Sequence, residues 1–116
     1  MFLIGPSRLG KTAWARSHGH HMYHGGMFNL ENWDSHVRYA VYDDIAWEYF
    51  PSKKQLLGSQ REFSIADKYR RKRTVTYAMP WIFTMNQDNW DKVLKDDMYG
   101  WLLENAKVVF INRKLY

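Results

Sequence analysis

The segment Gly5-Pro6-Ser7-Arg8-Leu9-Gly10-Lys11-Thr12 reads G-x-x-x-x-G-K-T, and it stands between the apolar run Met1-Phe2-Leu3-Ile4 and the helix-compatible Ala13-Trp14-Ala15-Arg16-Ser17. Strand, loop, helix is the order a phosphate-binding P-loop requires. The glycines permit a tight turn whose N–H groups converge on phosphate oxygens, and a helix starting at Lys11 adds the positive end of a dipole. In such a loop Lys11 reaches the β- and γ-phosphates and Thr12 is a ligand of Mg²⁺. An ordinary glycine-containing turn would share the pattern, so the rest of the chain has to decide.

Two further strand ends bear on the decision. The apolar stretch Tyr39-Ala40-Val41-Tyr42 ends in Asp43 and Asp44. A buried parallel strand delivers its carboxyl end to the same sheet edge as the loop, where an acid can hold the Mg²⁺ water shell and orient an attacking water. Trp81-Ile82-Phe83-Thr84-Met85, started by Pro80, ends in Asn86, whose amide can donate to a γ-phosphate oxygen and accept from the water. Taken singly, Asp43-Asp44 is as well read as a turn former or helix cap. Asn86 can likewise begin a turn through Asn86-Gln87-Asp88-Asn89. The order along the chain is what favours a site.

The net charge of +5 is informative once it is located. Lys68, Arg70, Arg71, Lys72 and Arg73 place five cations within six residues, so the remainder of the chain is formally neutral. The strand-like flanks Glu62-Phe63-Ser64-Ile65 and Thr74-Val75-Thr76-Tyr77 put this run at a hairpin tip. With Tyr69 among them, the cations can engage phosphates while the ring stacks on a base. A nuclear-localisation signal or a merely solvated basic loop is the plainer alternative.

Taken in sequence, Gly5 to Ser17, Tyr42-Asp43-Asp44-Ile45, Leu57-Gly58-Ser59-Gln60, Asp67-Lys68-Tyr69 and Pro80-Trp81-Ile82 through Asn86 resemble a superfamily three helicase. The resemblance is to the helicase part of the replication initiator (Rep) of circular single-stranded DNA viruses, of the geminivirus and genomovirus type. It implies an α/β P-loop NTPase fold, AAA+-like, with a parallel sheet flanked by helices and an inserted basic β-hairpin. It puts Lys11 and Thr12 in Walker A, Asp43 and Asp44 in Walker B, Lys68 in the DNA-contacting B′ motif and Asn86 in motif C. The implied cofactors are ATP and Mg²⁺, the implied partners single-stranded DNA and further copies in a ring, and the implied compartment the host nucleus. The hairpin, with Lys68, Tyr69, Arg70, Arg71, Lys72 and Arg73, would line the ring's channel.

Two departures from the family qualify that expectation. The chain begins almost at the P-loop strand, without a nuclease or an oligomerisation segment, so no nicking is expected of it and it reads as a separate product or an excised domain. Trp101-Leu102-Leu103-Glu104-Asn105 holds no arginine where some relatives place an arginine finger, and Arg113 and Lys114 are the substitutes at hand. Two other readings stay open: a nucleic-acid-binding module that binds nucleotide but turns it over poorly, and a small-molecule kinase whose lid is the Lys68 to Arg73 run.

Composition sets the outer bounds. A chain of 116 residues makes one domain, 1–116, and buries roughly two-thirds of its unfolded surface. The 46% hydrophobic content argues against disorder, no apolar run is long enough to span a bilayer, and the absence of cysteine removes disulfides and thiolate metal sites. The expected elements are strands at 1–4, within 22–30, and at 39–42, 81–85 and 108–111, helices at 11–17, 52–57 and 97–105, and the hairpin arms. His18, His20, His21 and His24 are too dense for one tetrahedral metal set and read as a polar loop. Trp14, Trp81 and Trp101 fall on expected core elements. If three or four of the hairpin cations engage phosphates, log affinity for an oligonucleotide should fall against log salt with a slope of roughly −2 to −3. Combining Arg70→Ala, Arg71→Ala and Arg73→Ala should flatten that slope, which fluorescence anisotropy across a salt series measures.

Overall fold

The computed structural model describes residues 1–58, 60–66, 72–97 and 99–113. Five short strands form one parallel sheet: β1 (Phe2–Ile4), β2 (His21–Gly25), β3 (Tyr39–Asp43), β6 (Trp81–Met85) and β7 (Val108–Phe110), in the spatial order β2-β3-β6-β1-β7. β4 (Glu62–Ala66) and β5 (Lys72–Thr76) pair antiparallel as a separate hairpin. The helices are α1 (Lys11–Ala15), α2 (Lys53–Leu57), α3 (Gln87–Leu94) and α4 (Tyr99–Asn105).

β1, β3 and β6, the three inner strands, are buried along nearly their whole length because helices and loops cover both faces of the sheet there. One face carries a large aromatic core. Phe2, Tyr42, Phe50 and Phe83 are fully buried there, with ring centroids 4.8 Å apart for Tyr42 and Phe50 and 4.9 Å for Phe50 and Phe83. Trp90 and Val93 of α3, Leu56 and Leu57 of α2, and the inward residues Phe63, Ile65 and Val75 of the hairpin complete it. The hairpin alternates as a half-buried ribbon should, with Glu62, Ser64 and Thr74 outward. The opposite face is thinner: Ala15, Tyr39 and Val41 are buried under α1, with Trp14, Tyr23 and Ile82 partly covered beside them. Tyr39 stitches α1 to the sheet, its hydroxyl donating to the Ala15 carbonyl at 2.7 Å and accepting from the His18 amide at 3.1 Å.

Most expected elements occur within a residue or two of their places, and the exceptions have physical causes. α3 follows the stretch that also reads as a turn. Asn86 caps it, its side-chain oxygen accepting from the Asn89 amide at 2.9 Å, Asp88 lies in its first turn, and Trp90 and Val93 at i, i+3 spacing bury one face. α1 ends at Ala15, short of Ser17, and α4 begins at Tyr99, after Asp97. Lys72 and Arg73 belong to the β5 arm, opposite Ala66 and Ile65, and so are not at the tip. Lys68, Tyr69, Arg70 and Arg71 lie outside the described residues, as does Lys114.

The polar-loop reading of the histidines fails at two positions. His21 and His24 are both on β2, and His24 is fully buried between Phe28 and Tyr42, with centroids 4.6 Å and 5.5 Å away. Its Nδ1 accepts from the Asn29 amide at 3.4 Å, while Nε2 is buried with no hydrogen-bond partner among the described residues. Desolvation pushes its pKa down from 6.5 to about 4. The unfolded chain therefore takes up the proton first as pH falls. The stability His24 contributes is complete above its unfolded pKa and is lost as pH drops from 6.5 toward 4. By about pH 5 that loss should reach ~2 kcal/mol. Urea unfolding across this range should show His24→Phe losing less stability than the parent by that amount; parallel losses would exclude His24 as the cause.

Candidate functional site

The chain leaves β1 toward the β2 edge, whereas after β6 it passes β1 to reach β7, so a crevice opens at the carboxyl ends of β1 and β6. Three segments meet there: the Gly5–Lys11 loop after β1, Asp43 and Asp44 after β3, and Asn86 after β6. Register places Thr84 beside both Leu3 and Asp43, and neighbouring residues in parallel strands share a face.

The loop is fixed at its root by the backbone. The Gly5 amide donates to the Met85 carbonyl at 3.1 Å, and the Ile111 amide donates to the Ile4 carbonyl at 2.7 Å. The chain after β7 consequently runs so close that a Cβ on Gly5 would lie 2.5 Å from the Ile111 carbonyl oxygen. Further along, Arg8 (φ 66°) and Gly10 (φ 83°) adopt left-handed conformations, and α1 starts immediately after. The Lys11 ammonium curls back onto the loop, donating to the Gly5 and Pro6 carbonyls at 2.7 and 2.6 Å. Its partial desolvation lowers its pKa, opposed by the charges of Asp44 and Asp43.

Asp43 collects three hydroxyls. Thr12 donates to Oδ1 at 2.8 Å, Thr84 also donates to Oδ1, and Tyr23 donates to Oδ2 at 2.6 Å. Burial raises the Tyr23 pKa to about 12, with help from the hydrogen bond to Asp43 and that acid's charge, so the phenol keeps its proton and remains a donor. Asp44 differs: it is exposed, sits at φ 55°, and among the described residues its hydrogen bonding is through the amide, which donates to the Thr84 carbonyl at 3.0 Å. Asn86, also exposed, spends its carbonyl oxygen on the α3 cap, which leaves the amide nitrogen as the group it can offer a ligand.

Together these groups bound a cleft of about 380 Å³. Ser7, Arg8, Gly10, Lys11 and Thr12 line it from the loop side, and Asp43, Asp44, Thr84 and Asn86 from the strand ends. Gly5 and Pro6 line an adjoining hollow of about 500 Å³ with Gln87, Asp88 and Phe110. Leu9 is half-buried and lines neither. The donor set offers hard oxygens from Thr12, Asp43 and Asp44 beside a cation, a combination that suits a hydrated divalent ion and an anion together. Two members were not read from the sequence. Thr84 carried a signal, as a hydroxyl in an otherwise apolar strand. Tyr23 carried none, because only the pairing of β2 with β3 brings it to Asp43.

No family model matches the chain. Relatives are nonetheless clear. It is 40% identical over 88 residues to the replication-associated protein of Bean yellow dwarf virus, covering 76% of this chain and 26% of that protein. It is 34% identical over 112 residues to that of Miscanthus streak virus, covering 96% and 32%. To that of Maize streak virus genotype D it is 32% identical over 114 residues, covering 97% and 32%. The chain thus spans between a quarter and a third of the length of these relatives.

The close approach at the root of the loop has a measurable consequence. Gly5→Ala must push the Ile111 backbone away, an overpacking that should cost ~1–3 kcal/mol. Urea denaturation should show a lowered midpoint at unchanged slope; an unaltered midpoint would mean that the strand end and the chain after β7 are not held together as described.

Proposed function

The chain is homologous to the replication-associated proteins of geminiviruses over most of its length, and we propose that it is their ATP-hydrolysing helicase domain, of superfamily three. The observation that carries this reading is the convergence of Lys11, Thr12, Asp43, Asp44 and Asn86 on one cleft from segments far apart in sequence. The Gly5–Thr12 loop is then a Walker A P-loop and Asp43-Asp44 its Walker B partner.

In this mechanism the loop amides and Lys11 hold the β- and γ-phosphates. Thr12 and Asp43, 2.8 Å apart, are the residues that would hold Mg²⁺. The bound ion would neutralise charge developing on the phosphate oxygens. Asp43 has its oxygens occupied by three hydroxyls, which suits a fixed anchor. Asp44, exposed and with its carboxylate free of any hydrogen bond among the described residues, orients and deprotonates the attacking water. Asn86 donates from its amide to the γ-phosphate. The hollow beside Gly5 and Phe110 continues the cleft and has room for the base. The basic hairpin grips single-stranded DNA, and subunits assembled in a ring in the host nucleus complete each other's sites, with Arg113, exposed beyond β7, as one candidate finger.

Steady-state ATP hydrolysis with and without single-stranded DNA, alongside calorimetric titration with ATP and Mg²⁺, tests the proposal. Lys11→Ala should lose nucleotide binding while the fold persists. Asp44→Asn should retain binding and lose turnover by ~10²-fold or more, the scale of a missing general base. Unchanged affinity and turnover in Lys11→Ala would refute the nucleotide site, and wild-type turnover in Asp44→Asn would refute the division of labour between the two acids.

A further inference from the structure

Tyr23 reaches Asp43 through an arrangement with three parts. β2 pairs with β3 so that Tyr23 lies opposite Val41 and Gly25 opposite Asp43, which puts Tyr23, Gly25 and Asp43 on one face of the sheet. The phenol then leans along its own strand over Gly25. A Cβ built on Gly25 would lie 2.7 Å from the Tyr23 hydroxyl and 2.7 Å from Cε2, so the ring occupies the space that any side chain at 25 would need. From above, the guanidinium of Arg16, on the residue that caps α1, stacks 3.9 Å from the ring centroid and donates to His21 Nε2 at 3.2 Å. The ring is thereby confined between the β2 backbone and the end of the helix that begins at Lys11, with its hydroxyl on Oδ2 of Asp43.

We infer that Tyr23, seated over Gly25 and under Arg16, is a positioning residue that fixes the Asp43 carboxylate for Mg²⁺; the inference rests on the nucleotide reading of this cleft. Thr12 and Thr84 both address Oδ1, so Tyr23 is the hydroxyl that sets the rotation of the carboxylate by holding the other oxygen. Hydrogen-bond partners of this kind govern metal affinity through the ligand they orient, and their loss costs about 10–100-fold. Among the described residues Tyr23 makes no hydrogen bond to the loop, Lys11, Asp44 or Asn86, so affinity for nucleotide without the ion does not depend on it. Gly25 acts only by leaving the ring its seat.

The experiment is calorimetric titration of the protein with ATP, in EDTA and across a Mg²⁺ series, for the parent, Tyr23→Phe, Gly25→Ala and the double variant. Tyr23→Phe keeps the ring and removes the donor. Gly25→Ala displaces the end of a side chain, not backbone, and leaves the donor present but misplaced. The Mg²⁺ midpoint should rise by ~10-fold or more in each single variant. The double variant should be no worse than either single one, since both act on the same contact, and ATP affinity in EDTA should be unchanged throughout. A parental Mg²⁺ midpoint in Tyr23→Phe, effects that multiply in the double variant, or an equal loss of affinity in EDTA would each overturn the positioning role while leaving the nucleotide site standing. A parent chain that binds no ATP in either buffer would overturn the nucleotide reading and this inference with it.

Discussion

Three hydroxyls on one carboxylate join the parts of the molecule that have to stay in register. Asp43 ends β3, and its donors come from the start of α1 (Thr12), the middle of β2 (Tyr23) and β6 (Thr84). A half-buried carboxylate is costly unless its lone pairs are met, and charge-assisted bonds are the stronger class. Helix, edge strand and central strand therefore have a shared electrostatic reason to converge at this point. α1, with only five residues and no side-chain cap, is too short to be stable alone and depends on that convergence and on Tyr39.

The same strand serves the other half of the molecule. Tyr42, adjacent to Asp43, points to the opposite face, where it is fully buried and its hydroxyl lies 3.0 Å from that of Tyr77 at the end of the hairpin. Burial raises the pKa of both phenols, so both keep their protons at neutral pH and one can donate to the other. Consecutive residues of β3 thus bond to the cleft on one side and to the hairpin base on the other. Neighbouring rings hold that segment rigid: Phe50 and Phe83 pack on Tyr42, and Trp47 anchors its own indole on Asp96 at 2.7 Å.

Much of this was legible in the sequence because it rests on local pattern. The loop residues, the acids at the end of β3 and Asn86 at the end of β6 could each be read where they stand, and parallel pairing carried them to one edge. What could not be read depends on pairing between strands. Tyr23 looks like any strand tyrosine until β2 is set beside β3, and Gly25 looks like a turn residue until the ring over it is seen. His24 looked polar because it sits among other histidines, yet alternation along β2 turns it into the aromatic core while Tyr23 turns toward the cleft. α3 was missed for a related reason: a run of amides and acids suits a turn and a helix start equally, and only the burial of Trp90 and Val93 decides between them.

The two faces of the sheet differ in how they resist opening. The aromatic face is held by many interlocking side chains, so parting it costs a large share of the buried core. The α1 face has a small apolar cluster and is held largely by hydroxyls on one acid and one carbonyl. Polar contacts near solvent yield at lower free energy than a packed core. Excursions of α1 and its loop can therefore occur against an intact frame, and amide exchange in that helix would outpace exchange in β3 and β6. The cleft edge built this way can open and close by sub-global motion of α1 and its loop while the aromatic face stays packed.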